Sequence, residues 1–281
     1  MKIVECPRDA MQGLERFVDT QLKIEYLNRL LKVGFDTLDF GSFVSPKAIP
    51  QTRDTANVID RLEESNTKLL AIVANERGAK DACQFSRIDY LGYPFSVSEV
   101  FQKRNSNKSI DQSLVDLMKV KELVTKNDKE LVVYLSMAFG NPYKEHWHED
   151  IVAKWSEKLI DLGVKTIALS DTVGVSNKTT IETIFGLLIN EFSDIKWGAH
   201  LHTTTDKWKE KVDAAYEKGC RRFDSTIKGF GGCPMANNKL VGNLATENLL
   251  TFCQERNIDH KLNTLAFESA YNKSFEIFNH H

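Results

Sequence analysis

The sequence has no apolar run approaching the roughly 18–20 residues that cross a bilayer, so no membrane partner is expected. It also lacks a surplus of either charge: 37 Lys and Arg stand against 39 Asp and Glu, a formal net charge of -2. Binding nucleic acid calls for clustered excess Lys and Arg, so that partner is not expected either. Cysteine is scarce. The five (Cys6, Cys83, Cys220, Cys233 and Cys253) are scattered without a CxxC, which argues against a disulfide framework or zinc knuckle and for reduced thiols in a cytoplasmic protein. The start, Met1-Lys2-Ile3-Val4-Glu5-Cys6-Pro7-Arg8-Asp9, carries charge too early for a signal peptide. No GxGxxG follows the first strand-like run, and no Gly-Lys-Ser/Thr marks a Walker loop. Six prolines form no linker and no compositional step divides the chain. The expectation is one domain over residues 1–281, with a less regular tail from about 259.

Short β-branched, apolar runs alternate with longer amphipathic ones. The strand-like runs are Lys2–Glu5, Thr37–Phe40, Leu69–Val73, Ile88–Leu91, Leu131–Ser136, Thr166–Ser170, Lys196–His202 and Arg222–Thr226. Between them, Leu22, Ile24, Tyr26, Leu27, Leu30 and Leu31 line one helix face, and Trp155, Leu159, Ile160 and Leu162 another. A third helix follows Asn177 and a fourth runs from about Asp206 to Lys218. Helix, glycine, short link and strand recur at Gly34, Gly163 and Gly219. Continuous apolar strands joined by helices are parallel strands buried on both faces. Eight of them predict an α/β fold of the (β/α)8 TIM-barrel type, ahead of an open doubly wound sheet. In such a barrel the chemistry sits where strands end, at the C-terminal face.

Several strand ends are polar. Arg8-Asp9 follows the first strand, either as a loop ion pair or as an anion-binding Arg beside a metal-binding carboxylate. His200-Leu201-His202 would put two imidazoles on one strand face, half of a divalent-metal site, unless both are hydrogen-bonded core residues. His146-Trp147-His148 has the same spacing but leads into Glu149-Asp150, as the exposed start of a helix. Lys228-Gly229-Phe230-Gly231-Gly232-Cys233-Pro234 after the eighth strand is either a plain turn or a mobile loop carrying a working thiol. Asn243 reads as a helix cap, or as a carbonyl donor to a hard metal. Asp39 and Asp171 are further strand-end carboxylates. One Asp, two His and one Asn form an oxygen–nitrogen set suited to Mg or Mn.

Six stretches occur together in order: Pro7-Arg8-Asp9 with Gln12; Ser42-Phe43-Val44-Ser45-Pro46-Lys47 with Pro50-Gln51; Asp171-Thr172-Val173-Gly174-Val175; His200-Leu201-His202; Gly229–Pro234; and Gly242-Asn243-Leu244-Ala245-Thr246-Glu247. In these the chain resembles the 3-hydroxy-3-methylglutaryl-CoA lyases, within the TIM-barrel metal-dependent carbon–carbon lyases. The resemblance implies a divalent cation on Asp9, His200, His202 and Asn243. It implies Arg8 as stabiliser of an enolate, Cys233 as loop acid, and His200, Asp39 or Asp171 as base. Gln12, Ser42, Gly231 and Gly232 would meet the acyl-CoA substrate. It further implies retro-Claisen cleavage to acetoacetate and acetyl-CoA, a place in leucine degradation, and a homodimer. The alternatives are a Claisen-type condensing enzyme or 2-oxo acid aldolase on the same metal barrel, and a non-catalytic acyl-CoA-binding barrel. Asp39 stands where that family has Glu, and Thr203-Thr204-Thr205 follows the histidine pair where the family has Asp-Thr-Tyr.

Overall fold

Three helix–strand junctions share one device. Gly34, Gly163 and Gly219 adopt φ of +85°, +82° and +102°, a left-handed conformation that ends a helix without the steric cost a Cβ would bring. Helix starts are equally specified. The Asp19 carboxylate accepts from the backbone of Gln21 and Leu22, and Asn177 and Ser109 form reciprocal capping boxes with Thr180 and Gln112. Each such cap contributes about 1 kcal/mol.

The computed structural model describes residues 1–232 and 241–278. Its strands are β1 (Lys2–Glu5), β2 (Thr37–Ser42), β3 (Lys68–Ile72), β4 (Ile88–Ser96), β5 (Glu130–Ser136), β6 (Thr166–Ser170), β7 (Lys196–His200), β8 (His202–Thr203), β9 (Arg222–Ser225) and β10 (Gly242–Asn243). The helices are α1 (Pro7–Met11), α2 (Thr20–Leu31), α3 (Thr55–Ile59), α4 (Glu76–Cys83), α5 (Glu99–Ser106), α6 (Ile110–Lys126), α7 (Glu149–Asp161), α8 (Lys178–Glu191), α9 (Trp208–Glu217), α10 (Thr246–Glu255) and α11 (Thr264–Phe278). Strands β1 to β7 and then β9 close into an eight-stranded barrel, every neighbouring pair parallel. This is the (β/α)8 barrel expected from the strand count. Successive strand residues face opposite sides, and the apolar residues divide accordingly. Leu70, Ile72, Val132, Tyr134 and Ala168 pack together inside the barrel, while a much larger layer joins the strands to the helices.

Two expectations need correction. The run Lys196–His202 is not one strand: β7 ends at His200 and β8 leaves the barrel to pair antiparallel with β10. The break falls at buried Leu201, whose carbonyl takes the Leu244 N–H rather than a barrel neighbour. The tail from about 259 is not irregular either, because it contains the 15-residue helix α11. That helix packs on α2: Tyr26 meets Phe278 edge-on, and the buried Lys273 pairs with Glu25. Apolar residues also occupy the outer side of α11, where Leu265 and Phe275 are exposed, and so blur its packing face in the local pattern.

Candidate active site

Chain reversal straight after β1 builds the first half of the site. Pro7 opens α1, where its missing N–H costs nothing, and the short helix delivers Arg8, Asp9 and Gln12 to the barrel mouth. The Arg8 guanidinium clamps Asp39, which lies within β2 rather than at its end because the strand runs on to Ser42, with Nε at 3.2 Å from both carboxylate oxygens and Nη2 at 2.5 Å from Oδ2. Its Nη1 donates to Asp9 Oδ1 at 3.2 Å and to Gln12 Oε1 at 2.9 Å, and Gln12 Nε2 returns a bond to Asp9 Oδ1 at 2.8 Å. All four groups thus form one network. A buried guanidinium between two carboxylates stays charged and presents a fixed fork. Burial pushes the Asp39 carboxyl up to about 6, against the pull of Arg8. Asp9 ends below the usual carboxylate range: burial raises it, but Arg8 and His200 outweigh that.

The second half comes from the short β8–β10 ladder, whose register sets His202 directly opposite Asn243. Asn243 is therefore a strand residue, and the cap of α10 falls to Ala245; the helix-cap reading of Asn243 does not hold. Its side-chain amide donates to Asp9 Oδ2 at 2.7 Å and to the Phe230 carbonyl at 2.9 Å, joining the two halves. The His200 and His202 rings lie 5.5 Å apart. Burial, reinforced by His200, pushes His202 down to about 4, so it is a neutral imidazole. At His200 burial again opposes charge, but the hydrogen bond the ring gives Asp224 and the Asp9 charge raise it above its usual value.

The glycine loop begins on top of this cluster. Gly231 has φ +87°, and a Cβ there would lie 2.8 Å from Asp9 O and Ala10 Cα and 2.9 Å from Asn243 Nδ2. Only glycine lets the backbone approach this closely. Gly232 follows beside Val241 and Gly242. Cys233 and Pro234 lie outside the described residues. Cys6 is buried and its thiol is pushed up by burial, as are Cys83, Cys220 (to about 12) and Cys253 (to about 11). A thiol held protonated is a poor nucleophile, so these four serve packing.

Other expected residues are placed differently. Asp171 is wholly buried, but its carboxylate is already used: Ser176 donates N–H at 3.0 Å and Oγ at 2.5 Å, and Lys211 Nζ lies at 2.7 Å. Those three donors make it a structural anchor rather than a free base. Ser42 Oγ donates to the Ile72 carbonyl at 3.1 Å and accepts from Val44 N, bracing the end of β2. His148 is the exposed cap of α7, accepting from Asp150 N, so the second His-x-His is surface as expected.

Three participants escaped the sequence reading. Lys211 on α9 gives its other two protons to the carbonyls of His202 (2.8 Å) and Gly174 (3.3 Å). Glu5 receives Ile227 N–H at 2.8 Å and Thr246 Oγ at 2.5 Å. Asp224 contacts His200. For Asp224 and Glu5 a signal existed: charged residues inside otherwise apolar barrel strands. For Lys211 there was none, because a Lys on an amphipathic helix reads as solvated.

The donor set suits a hard divalent cation. Among the described residues, Asn243 Oδ1 and His202 Nδ1 are buried without a hydrogen-bond partner, a costly state that a cation would relieve. Among the described residues no three His, Cys, Asp or Glu side chains stand at ligating spacing. Here Arg8, Gln12 and the Asn243 amide hold the oxygens of Asp9. A cavity of about 780 Å³ opens at the opposite end of the barrel, between Lys2, Asp36, Tyr90, Lys196 and Arg221. It shares no residue with this network, so its size does not make it the reaction site.

Residues 2–273 match the HMGL-like family. The chain is 32% identical over 255 residues to hydroxymethylglutaryl-CoA lyase YngG of Bacillus subtilis, covering 90% of this chain and 84% of that protein. It is 26% identical to (R)-citramalyl-CoA lyase of Chloroflexus aurantiacus, over 87% of this chain and 80% of that one. Among solved structures it superimposes with a TM-score of 0.91, at 29% identity, on an HMG-CoA lyase from Acinetobacter baumannii in complex with coenzyme A and 3-methylmalate, covering 98% of this chain and 90% of that one.

Proposed function

Because the chain belongs to the HMGL-like family, we propose that it is a carbon–carbon lyase cleaving 3-hydroxy-3-methylglutaryl-CoA to acetoacetate and acetyl-CoA. The observation that carries this reading is the network of Arg8, Asp9, Gln12, Asp39 and Asn243, with His200 and His202 beside it, at the C-terminal end of the barrel. Asp9, His200, His202 and Asn243 would hold a divalent cation, Mg or Mn. When bound, such a cation polarises the C3 hydroxyl of the substrate and lowers its pKa.

The protein groups supply the rest. The hydroxyl proton has two acceptors at hand, His200 and Asp39. A ring nitrogen cannot hold a cation and a proton together. Because His200 would hold the cation, the proton is assigned to Asp39, whose carboxyl is pushed up to about 6 by burial, a range suited to a base near neutral pH, and whose Oδ1 takes only one bond from Arg8. As the C3 carbonyl forms, the C2–C3 bond breaks and its electron pair passes to the thioester as an enolate. Arg8 presents N–H donors where that negative charge develops. Protonation of C2 completes acetyl-CoA, and the family resemblance gives that step to Cys233. Gln12 borders the substrate side of the site beside Arg8, Ser42 braces the end of β2, and Gly231 and Gly232 let the loop backbone come close to the site. Asp171, with Lys211, positions the β8 segment.

The (R)-citramalyl-CoA lyase relative supports a second reading of the acyl group, with the same bond cleaved in a different 3-hydroxyacyl-CoA. A cytoplasmic location and a homodimer accompany the family reading; among the described residues no helix is long and apolar enough to cross a membrane. The test is turnover of 3-hydroxy-3-methylglutaryl-CoA and citramalyl-CoA by chelator-treated protein, before and after Mg or Mn is added. Activity that disappears with the chelator and returns with the metal, with the methylglutaryl substrate preferred, supports the reading. Full activity in excess chelator would sink the metal assignment.

A further inference from the structure

Neighbouring strands β7 and β9 are in a register that pairs Gly198 with Arg222 and His200 with Asp224. With a side-chain period of two, these four positions share one face, that of the barrel interior beside Ala168 and Tyr134. An arginine and an aspartate thus stand in the middle of a barrel otherwise filled by Leu70, Ile72, Val132 and Ala168. Arg222 Nη1 donates to Asp224 Oδ1 at 2.7 Å, and Asp224 Oδ2 lies 3.3 Å from His200 Nδ1. The Asp224 side chain is fully buried and that of Arg222 is 9% exposed. The guanidinium lies against Gly198: a Cβ there would come within 2.8 Å of Nη1 and push the guanidinium aside. The Tyr134 ring packs edge-on against His200, with centroids 5.9 Å apart.

We propose that Arg222 and Asp224 are positioning residues that fix the orientation and tautomer of His200. A carboxylate against Nδ1 can only accept, so the proton resides on Nδ1 and the Nε2 lone pair is aimed at the barrel mouth. Arg222 supplies the counter-charge that makes a buried carboxylate tolerable at this depth. This rests on the reading of His200 as a cation-binding group and adds to it the reason that this ring is a competent donor. The reaction network of Arg8, Asp9 and Asp39 contacts neither residue among the described hydrogen bonds.

The experiment uses the full chain with His-selective 15N labelling, the His200 signals assigned with His200→Gln, alongside titration with Mn alone. In the wild type, His200 carries its proton on Nδ1. Asp224→Asn, nearly isosteric, should shift the ring toward the Nε2–H form and weaken Mn binding by about 10- to 100-fold. Arg222→Met should move both readouts the same way by a smaller factor, and Arg222→Lys should restore them. If Asp224→Asn does not fold, Gly198→Ala displaces Arg222 instead and should reproduce the Arg222→Met result. Folded variants with an unchanged tautomer and Mn affinity within twofold of wild type would overturn the inference. Should the wild type itself fail to bind Mn, the metal reading falls, while the tautomer comparison still decides the positioning role.

Discussion

Lys211→Met isolates the anchor beneath His202. The Lys211 and Asp171 side chains are 6% and 0% exposed and make a 2.7 Å ion pair, so solvent screening does little to weaken it. Removing one partner of a buried pair costs about 3–5 kcal/mol. Asp171 would keep both bonds from Ser176, which places the loss near 3 kcal/mol, at the lower end of that range. With an unfolding entropy of about 2 cal/mol/K per residue over 281 residues, this lowers the Tm by about 5 °C. The double variant Lys211→Met/Asp171→Asn removes the orphaned charge and should recover at least half the Lys211→Met loss, about 1.5 kcal/mol, so that the two single losses do not add. Denaturant midpoints of the wild type, both single variants and the double variant supply the cycle. The His202 carbonyl also loses its donor, so activity should fall further than stability alone predicts. A single variant within 1 °C of wild type, or losses that simply add, would refute the anchor.

Other perturbations address separate parts of the site. Gly231→Ala forces a Cβ against the Asp9 and Ala10 backbone at φ +87° and should lower kcat/KM by about 100-fold through displacement alone; wild-type kinetics would show that the close approach is dispensable. Burial pushes Glu5 up to about 8, opposed by the bonds from Thr246 and Ile227. Its contribution to stability is thus fully present below pH 4.5 and is lost as the pH rises through 8. Glu5→Gln should flatten that decline, read as denaturant midpoints at pH 5, 6.5 and 8; parallel curves would contradict it. Cys233→Ala should abolish most turnover, and unchanged turnover would rule out a loop acid.

Local pattern was enough to expose the barrel, because eight apolar runs and the glycines at 34, 163 and 219 are short-range signals. It also exposed Arg8, Asp9 and the histidine pair, since polar residues ending apolar strands are visible without partners. It failed where long-range register decides. The departure of β8 from the barrel depends on β10, forty residues later in the chain, and only that pairing decides against the cap among the two readings of Asn243. Asp171 looked free because its partners, Ser176 and Lys211, lie on a loop and a helix that no local motif links to it. Asp224 was passed over because its role depends on lying opposite His200.

The most direct test of the proposed reaction is to incubate the protein with 3-hydroxy-3-methylglutaryl-CoA and Mg and to quantify the products. Retro-Claisen cleavage predicts acetoacetate and acetyl-CoA in equal amounts, with Arg8→Met forming neither at a measurable rate. Intact substrate after prolonged incubation with folded, metal-loaded protein would contradict it, as would products other than this pair.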